Sequence, residues 1–420
     1  MRNADFFKNK KVAVIGLARS GVCCANLLFE LGADVFVTDQ IDNQTTRQNA
    51  SKLKSKDIKL ELGKHTCGSI KDRDIVIISP GVTALSQPVV WAKENNIPVI
   101  SEIEAGFILC PAPIIAVTGS SGKTTVTTLI GKIIEASGRR AFVCGNIGNP
   151  FTGEITKINS EDFVVLEVSS FQLEGIRDFK PKISVMLNFS KNHLDRHKDM
   201  QEYLDAKKRI FLNQDNSDYL VLNQDDQVLR LLADQSRAKT VCFSQKNGIN
   251  PNQAAVLAVG SILGIDSKIC SKVFKEFQGL EHRFEFVTEI NKVRFINDSK
   301  ATVVESTIWA IKNIPDKVIL IAGGKDKGVD YAGILPQAKG KVKEVILIGE
   351  AKEKIKRSLQ NILPVSEAAT LEEAVNKAYK LSCPGDSILF SPMCSSFDMF
   401  TNYEQRGRVF KQIVNNLTKP

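Results

Sequence analysis

Ile114-Ile-Ala-Val-Thr118, running into Gly119-Ser-Ser-Gly-Lys-Thr-Thr125, decides the fold. The first five residues are apolar or small without polar alternation, the pattern of a parallel strand covered on both faces. Gly119 and Gly122, with Ser120 and Ser121 between them, then let backbone N–H groups wrap a phosphate, and the helix that follows points its positive end at the anion. Lys123 is placed to reach the β- and γ-phosphates and the Thr124 hydroxyl to ligate Mg2+, with Thr125 completing the nucleotide loop. The spacing is shorter than GxxxxGK[ST], so the strand-turn-helix context carries the reading.

The same unit occurs twice more. Lys11-Val-Ala-Val-Ile-Gly16 turns through Gly21 into a helix reaching Leu31, and Asp34-Val-Phe-Val-Thr-Asp39 reads as the next parallel strand. Val318-Ile-Leu-Ile-Ala322 enters Gly323-Gly-Lys-Asp-Lys327. Repeated units of this kind predict α/β domains, each with its ligand site beyond the carboxyl ends of its strands. Breaks at Cys110-Pro-Ala-Pro113 and Gly279-Leu-Glu-His282 place the boundaries. Three domains are therefore expected, 1–110, 111–279 and 280–420, within ordinary domain sizes.

Composition narrows the class. The 420 residues are 43% hydrophobic and 25% charged, as in a globular protein, and apolar runs such as Ile75-Val-Ile-Ile78 are far too short to span a membrane. The start, MRNADFFKNKKVAVIG, lacks the apolar core and cleavage site of a signal peptide, so a cytoplasmic location is expected. The nine cysteines are odd in number and scattered without a CxxC pair, which suits buried reduced thiols better than zinc or disulfides. The net charge of +9 comes without a nucleic-acid-binding motif or basic stripe. It fits small polyanionic substrates, and the chain is expected to be a monomer with neither nucleic acid nor membrane as partner.

Other positions carry two readings each. Glu167 ends the strand Phe163–Val168 and is placed to hold Mg2+, or is a capping or surface carboxylate. His193 and His197, four apart, could share a helix face, but without a third soft ligand zinc is not expected. Gly16 to Gly21, with Asp39 at the next strand end, departs from GxGxxG and suits a nucleotide-sugar site or a structural turn. Ser79-Pro-Gly81 is a plain turn or a phosphate-holding loop. Asn297-Asp-Ser-Lys-Ala-Thr302 closes a strand (292–296) and opens a helix, with Asp298 as its N-cap or, beside Lys300 and Thr302, as part of an anion site.

Taken together, TGSSGKTT (118–125), GNIGNP (145–150), LEVSSFQLE (166–174), the stretch 188–207, LEHRFE (280–285), INDSKAT (296–302), AGGKDKG (322–328) and SPMCSSFD (391–398) resemble the Mur ligase family. They run in the family's order across nearly the whole chain, and SSFQL and INDSKAT resemble its D-glutamate-adding branch. The resemblance implies a Rossmann-like UDP-binding domain, a central ATPase domain and a Rossmann-like carboxy-terminal domain. It further implies ATP-dependent addition of D-glutamate to UDP-N-acetylmuramoyl-L-alanine through an acyl phosphate, with Mg2+. Lys123, His193 and Lys207 take catalytic roles by this resemblance, Lys207 as a carbamylated lysine, with Lys208 as the neighbouring possibility. Thr124, Glu167, His193 and Lys207 would serve the metal; Asn250, Arg283, Asp298 and Lys300 would join the phosphate loop at ATP. Ser20, Asp39, Ser79 and Asn146 would hold the UDP-sugar, and Thr302, Lys327, Ser396 and Tyr403 the D-glutamate. The chain departs from the family at Ser121, at Ile41 and in a short passage between Val241 and Ala255, where Asn250 and Gln253 stand in for a longer segment. The alternative this raises is a catalytically impaired UDP-sugar-binding relative.

Overall fold

The apolar runs that open the three strand-turn-helix units, Lys11–Ile15, Ile114–Thr118 and Val318–Gly323, are all strands. The computed structural model describes residues 1–193, 196–245, 249–277, 279–326 and 328–417, and within them three sheets form. The first contains β1 (Lys11–Ile15), β2 (Asp34–Asp39), β3 (Lys59–Leu62), β4 (Ile75–Ile78) and β5 (Val99–Ser101), all parallel, in the order 3-2-1-4-5. The second contains β6 (Ile114–Thr118), β7 (Ala141–Gly145), β8 (Phe163–Glu167), β9 (Ile183–Met186), β10 (Tyr219–Asn223) and β11 (Lys239–Phe243), again all parallel, in the order 11-10-9-6-8-7. The third contains β12 (Glu285–Ile290), β13 (Val293–Asn297), β14 (Val318–Gly323), β15 (Val342–Ile348), β16 (Val365–Glu367) and β17 (Ser387–Phe390), in the order 12-13-17-14-15-16. Only its β12–β13 pair is antiparallel.

In each sheet the winding reverses once: between β1 and β4, between β6 and β9, and between β14 and β17. Loops leaving neighbouring strands in opposite directions open a crevice at the strands' carboxyl ends, so the strand order marks a ligand site in each sheet.

The chain packs as two units, Met1–Glu276 and Phe277–Pro420. The break expected at Cys110-Pro-Ala-Pro113 is thus a change of sheet within one interior. Val12 and Val37 from the first sheet and Ala116 and Leu166 from the second belong to one buried cluster. The helix Glu102–Leu109 lies in this interior and buries seven of its eight residues. Its Glu104 carboxylate accepts the backbone N–H groups of Arg177 (2.8 Å), Asp178 (2.9 Å) and Phe179 (3.0 Å), which satisfies a charge that burial would otherwise penalise heavily. No helix among the described residues is long and apolar enough to cross a membrane.

Candidate active site

The phosphate loop lies at the reversal point of the second sheet. It leaves β6 and enters the helix Lys123–Ala136, whose N-cap is Gly122 with φ +78°. Asn188, just beyond β9, fixes the loop from the neighbouring strand. Its Oδ1 accepts from Ser121 N (2.8 Å), its Nδ2 donates to Ser121 O (3.2 Å), and its carbonyl accepts from Ser120 N (3.1 Å). The Ser120 hydroxyl donates to Ser190 O (3.1 Å) and lies 3.3 Å from the Tyr203 hydroxyl. With the Ser120 and Ser121 N–H groups bound to Asn188, the loop is fixed in one conformation at the head of the helix, the preorganisation that phosphate binding requires.

Two amines converge on one carbonyl. Lys123 Nζ and Lys207 Nζ each donate to Gly119 O at 2.9 Å, and Lys207 also reaches Thr118 Oγ1 at 3.4 Å. Lys207 comes from the helix Met200–Lys208, is 1% exposed, and sits 4.6 Å above the centre of the Tyr203 ring. Burial, and then the charge of Lys123, holds its amine well below the ordinary lysine range. Lys208 turns away and pairs with Asp205 at 3.6 Å.

Glu167, at the end of β8, is 2% exposed. Its Oε1 accepts from Asn146 Nδ2 (2.8 Å), while its Oε2 is buried without a hydrogen-bond partner among the described residues. Asn146 also donates its backbone N–H to Glu167 O (2.9 Å), so the two are locked together. The Thr124 side chain is buried on the first turn of the phosphate-loop helix. A buried carboxylate oxygen with spare capacity, and a hydroxyl on the next strand's loop, suit a hard dication that takes oxygen ligands.

The histidines do not share a helix face as the sequence suggested. His193 lies in a turn with φ +56°, and the helix begins only at Met200. Its ring meets Phe171 edge-on at 5.0 Å and Tyr203 at 5.9 Å. His197 stacks on Phe171 (5.4 Å), with Nε2 2.9 Å from Ser170 Oγ. Asn250 caps the helix Pro251–Ile262 by accepting from Gln253 N (3.0 Å). It is Asn252, in the same first turn, that meets the phosphate loop. A Cβ at Gly122 would lie 2.5 Å from its Oδ1, so Gly122 is required both for its φ and for this approach.

At the reversal point of the first sheet, Ser79 Oγ donates to Gly16 O (3.0 Å). A Cβ at Gly21 would stand 1.9 Å from that same oxygen, which leaves glycine as the residue that fits. Asp39 accepts from Leu17 N (2.7 Å) and Ile41 N (2.8 Å), building the loop wall, and Ser20 is half-buried on the first turn of the helix Arg19–Glu30. Arg196 ties this site to the histidine cluster: it donates to Pro80 O and Val82 O, both at 2.8 Å, and lies 4.1 Å over the Phe171 ring. Arg19 likewise donates to Gly148 O. The contacts of Arg196 and Asn188 have no local sequence signal, because their partners are far along the chain.

In the second unit Asp298 is not a helix N-cap. The helix Val304–Asn313 starts after Val303, and Asp298 is instead buried at the end of β13. Its Oδ2 accepts from Ser391 Oγ (2.8 Å) and its Oδ1 from Phe284 N (3.1 Å). Burial pushes its carboxyl up to about 7, against these hydrogen bonds and the Arg283 charge. Lys300 Nζ lies 5.2 Å over the Tyr403 ring, Thr302 donates its N–H to Lys300 O (2.9 Å), and Ser396 is buried with its carbonyl accepting from Phe400 N (2.8 Å). Lys327 lies outside the described residues.

The raised Asp298 carboxyl has a measurable consequence. The folded protein keeps this proton to about pH 7, whereas the unfolded chain releases it near 3.8, so its contribution to stability falls as pH rises through that interval. Asp298→Asn removes the titration. Its melting temperature relative to wild type is expected to be higher at about pH 8 than at about pH 5; a difference that does not change with pH would overturn the assignment.

Three α/β sheets, with a phosphate loop, a buried carboxylate and two convergent lysines on the second, suit an ATP-dependent ligase, and the chain belongs to the Mur ligase family. Residues 10–101 match the MurD-like Mur ligase N-terminal domain, 117–278 the Mur ligase middle domain, and 282–394 the Mur ligase glutamate ligase domain. Two relatives carry the name UDP-N-acetylmuramoylalanine--D-glutamate ligase. The protein of Geotalea uraniireducens is 42% identical over 97% of this chain and 98% of its own length. That of Geotalea daltonii is 40% identical over 98% of each. Among solved structures, UDP-N-acetylmuramate-alanine ligase MurC from Thermotoga maritima shares the fold, with a TM-score of 0.63 at 19% identity over 98% of this chain and 100% of its own.

Proposed function

We propose that this chain joins D-glutamate to UDP-N-acetylmuramoyl-L-alanine with ATP as co-substrate, yielding ADP and phosphate in peptidoglycan precursor synthesis. The convergence of Lys123 and Lys207 on the Gly119 carbonyl, one strand from the buried Glu167, is the observation that carries the chemistry. Phosphoryl transfer to the L-alanyl carboxylate needs positioning and charge neutralisation above all. The loop N–H groups and Lys123 supply these for the γ-phosphate. Asn146 aligns Glu167, and Thr124, Glu167, His193 and a carbamylated Lys207 would hold Mg2+. When bound, Mg2+ neutralises charge building on the phosphoryl oxygens.

Ser20, Asp39 and Ser79 would receive the uridine diphosphate end at the first reversal point. Arg283, Asp298 and Lys300 would contact nucleotide, and Thr302, Lys327, Ser396 and Tyr403 the D-glutamate. We read the chain as three functional domains, 1–110, 111–279 and 280–420, acting as a monomer in the cytoplasm, where ATP and UDP-sugars are made. An impaired UDP-sugar-binding relative has no support. Asn252, on the first turn of the helix Pro251–Ile262, still meets the phosphate loop at Gly122.

Phosphate release by the purified protein should require Mg-ATP, UDP-N-acetylmuramoyl-L-alanine and D-glutamate together, and should fail when L-glutamate replaces the D-isomer. Release that ignores the amino acid would rule out the ligase reading.

A further inference from the structure

The third sheet also has a reversal point, and its loops are bound together by one side chain. We infer that Arg406 is the positioning residue of the D-glutamate site, fastening the loop after β13 to the loop after β17 with its guanidinium packed on the loop after β14. This rests on the ligase reading above.

Arg406 is 1% exposed, yet among the described residues it makes no ion pair. A buried guanidinium with no carboxylate in direct contact, and only the more distant charge of Asp398 acting on it, is costly, and an apolar side chain of similar size would commonly serve stability better. Burial pulls its pKa down to about 10. What it gains instead is a set of loop acceptors. Nε donates to Ser299 Oγ (3.1 Å), and Nη2 donates to Ser299 O (2.7 Å) and Cys394 O (3.1 Å). Nη1 has no hydrogen-bond partner among the described residues and lies against Gly324, where an added Cβ would come within 3.1 Å of it.

Ser299 Oγ passes the connection on by donating to Tyr403 O (2.9 Å). The loops themselves touch at Gly323 N to Pro392 O (2.8 Å) and Lys325 N to Ser395 O (3.0 Å). Thus Arg406 holds two of the proposed D-glutamate contacts, Tyr403 through Ser299 Oγ and Ser396 two residues beyond Cys394, while the proposed nucleotide contacts Asp298 and Lys300 flank the same Ser299. The planar fork suits this arrangement, since a lysine amine cannot address the same acceptors from two nitrogens at once.

The test compares wild type, Arg406→Lys and Arg406→Met as full-length enzymes, reading KM for D-glutamate, KM for UDP-N-acetylmuramoyl-L-alanine and melting temperature. Arg406→Met is expected to raise KM for D-glutamate by about tenfold or more while KM for the UDP-sugar stays within about twofold, with Arg406→Lys in between. Both KM values rising together, or a lower melting temperature with KM for D-glutamate unchanged, would reduce Arg406 to a structural residue and overturn the inference. If Arg406→Met does not fold, Arg406→Lys carries the same comparison. A wild-type enzyme whose phosphate release does not depend on D-glutamate fails at an earlier step, and overturns the ligase reading together with this inference.

Discussion

Lys123→Ala is expected to lower turnover by about 10²–10³-fold while leaving the affinity for UDP-N-acetylmuramoyl-L-alanine near that of wild type. The Lys123 amine is held at the phosphate loop by the carbonyls of Gly119 and Ser120, at 2.9 and 3.4 Å. Its charge is therefore in place before phosphoryl transfer builds negative charge there, so no reorganisation is needed during the step. Alanine removes that charge but keeps the loop, because Asn188 rather than Lys123 fixes the loop to the next strand. The UDP-sugar contacts proposed around Ser79 and Asp39 are likewise untouched. Steady-state phosphate release and UDP-sugar binding measured on the same preparation separate the two effects. Activity within about threefold of wild type would refute the phosphate-loop assignment.

Lys207→Ala is expected to be inactive, and to regain part of its activity with formate or acetate. The amine is buried with carbonyl and hydroxyl oxygens as hydrogen-bond partners, and Lys123 shares one of them. Burial and the Lys123 charge both favour the neutral amine, which is the form that attacks carbon dioxide. The nitrogen lone pair forms the N–C bond, the amine loses a proton, and the product is an anion beside Lys123. A charge that repels a dication thereby becomes an oxygen ligand for one. In the alanine variant a small carboxylate can occupy the vacated volume and supply the same oxygens. Full activity without added carboxylate would refute the role, as would an inactive variant that no short carboxylate revives.

The strands were the most legible part of the sequence. Ile114–Thr118, Lys11–Ile15 and Val318–Gly323 are runs in which both faces are apolar, and burial on both faces is what parallel packing delivers. The phosphate loop was legible for a local reason, since its glycines, lysine and threonine are consecutive. Of the two readings of Asp298 the N-cap fails, because the helix starts after Val303 and Ser391 and Phe284 pack around the carboxyl instead, a placement that local pattern cannot show. The contacts of Asn188, Arg196 and Arg406 are not legible because they reach partners 67, 116 and 107 residues away, a separation over which local pattern carries no signal. At Asn250 the side chain caps its helix. The N-cap signature was visible, and the neighbour that reaches the loop, Asn252, had no pattern of its own.

The buried helix Glu102–Leu109 decides how this protein can be dissected. A fragment ending at Pro113 would carry off half of a shared interior, leaving Ile103 and Leu109 facing water and the Glu104 carboxylate without the three amides that solvate it. The complementary fragment would expose Phe151 and Phe179 in the same way. By contrast, the seam at Glu276–Phe277 leaves the later piece with its own interior, built on Val318, Leu320 and Leu389. Of the two punctuation marks in the sequence, only the second is a place to cut.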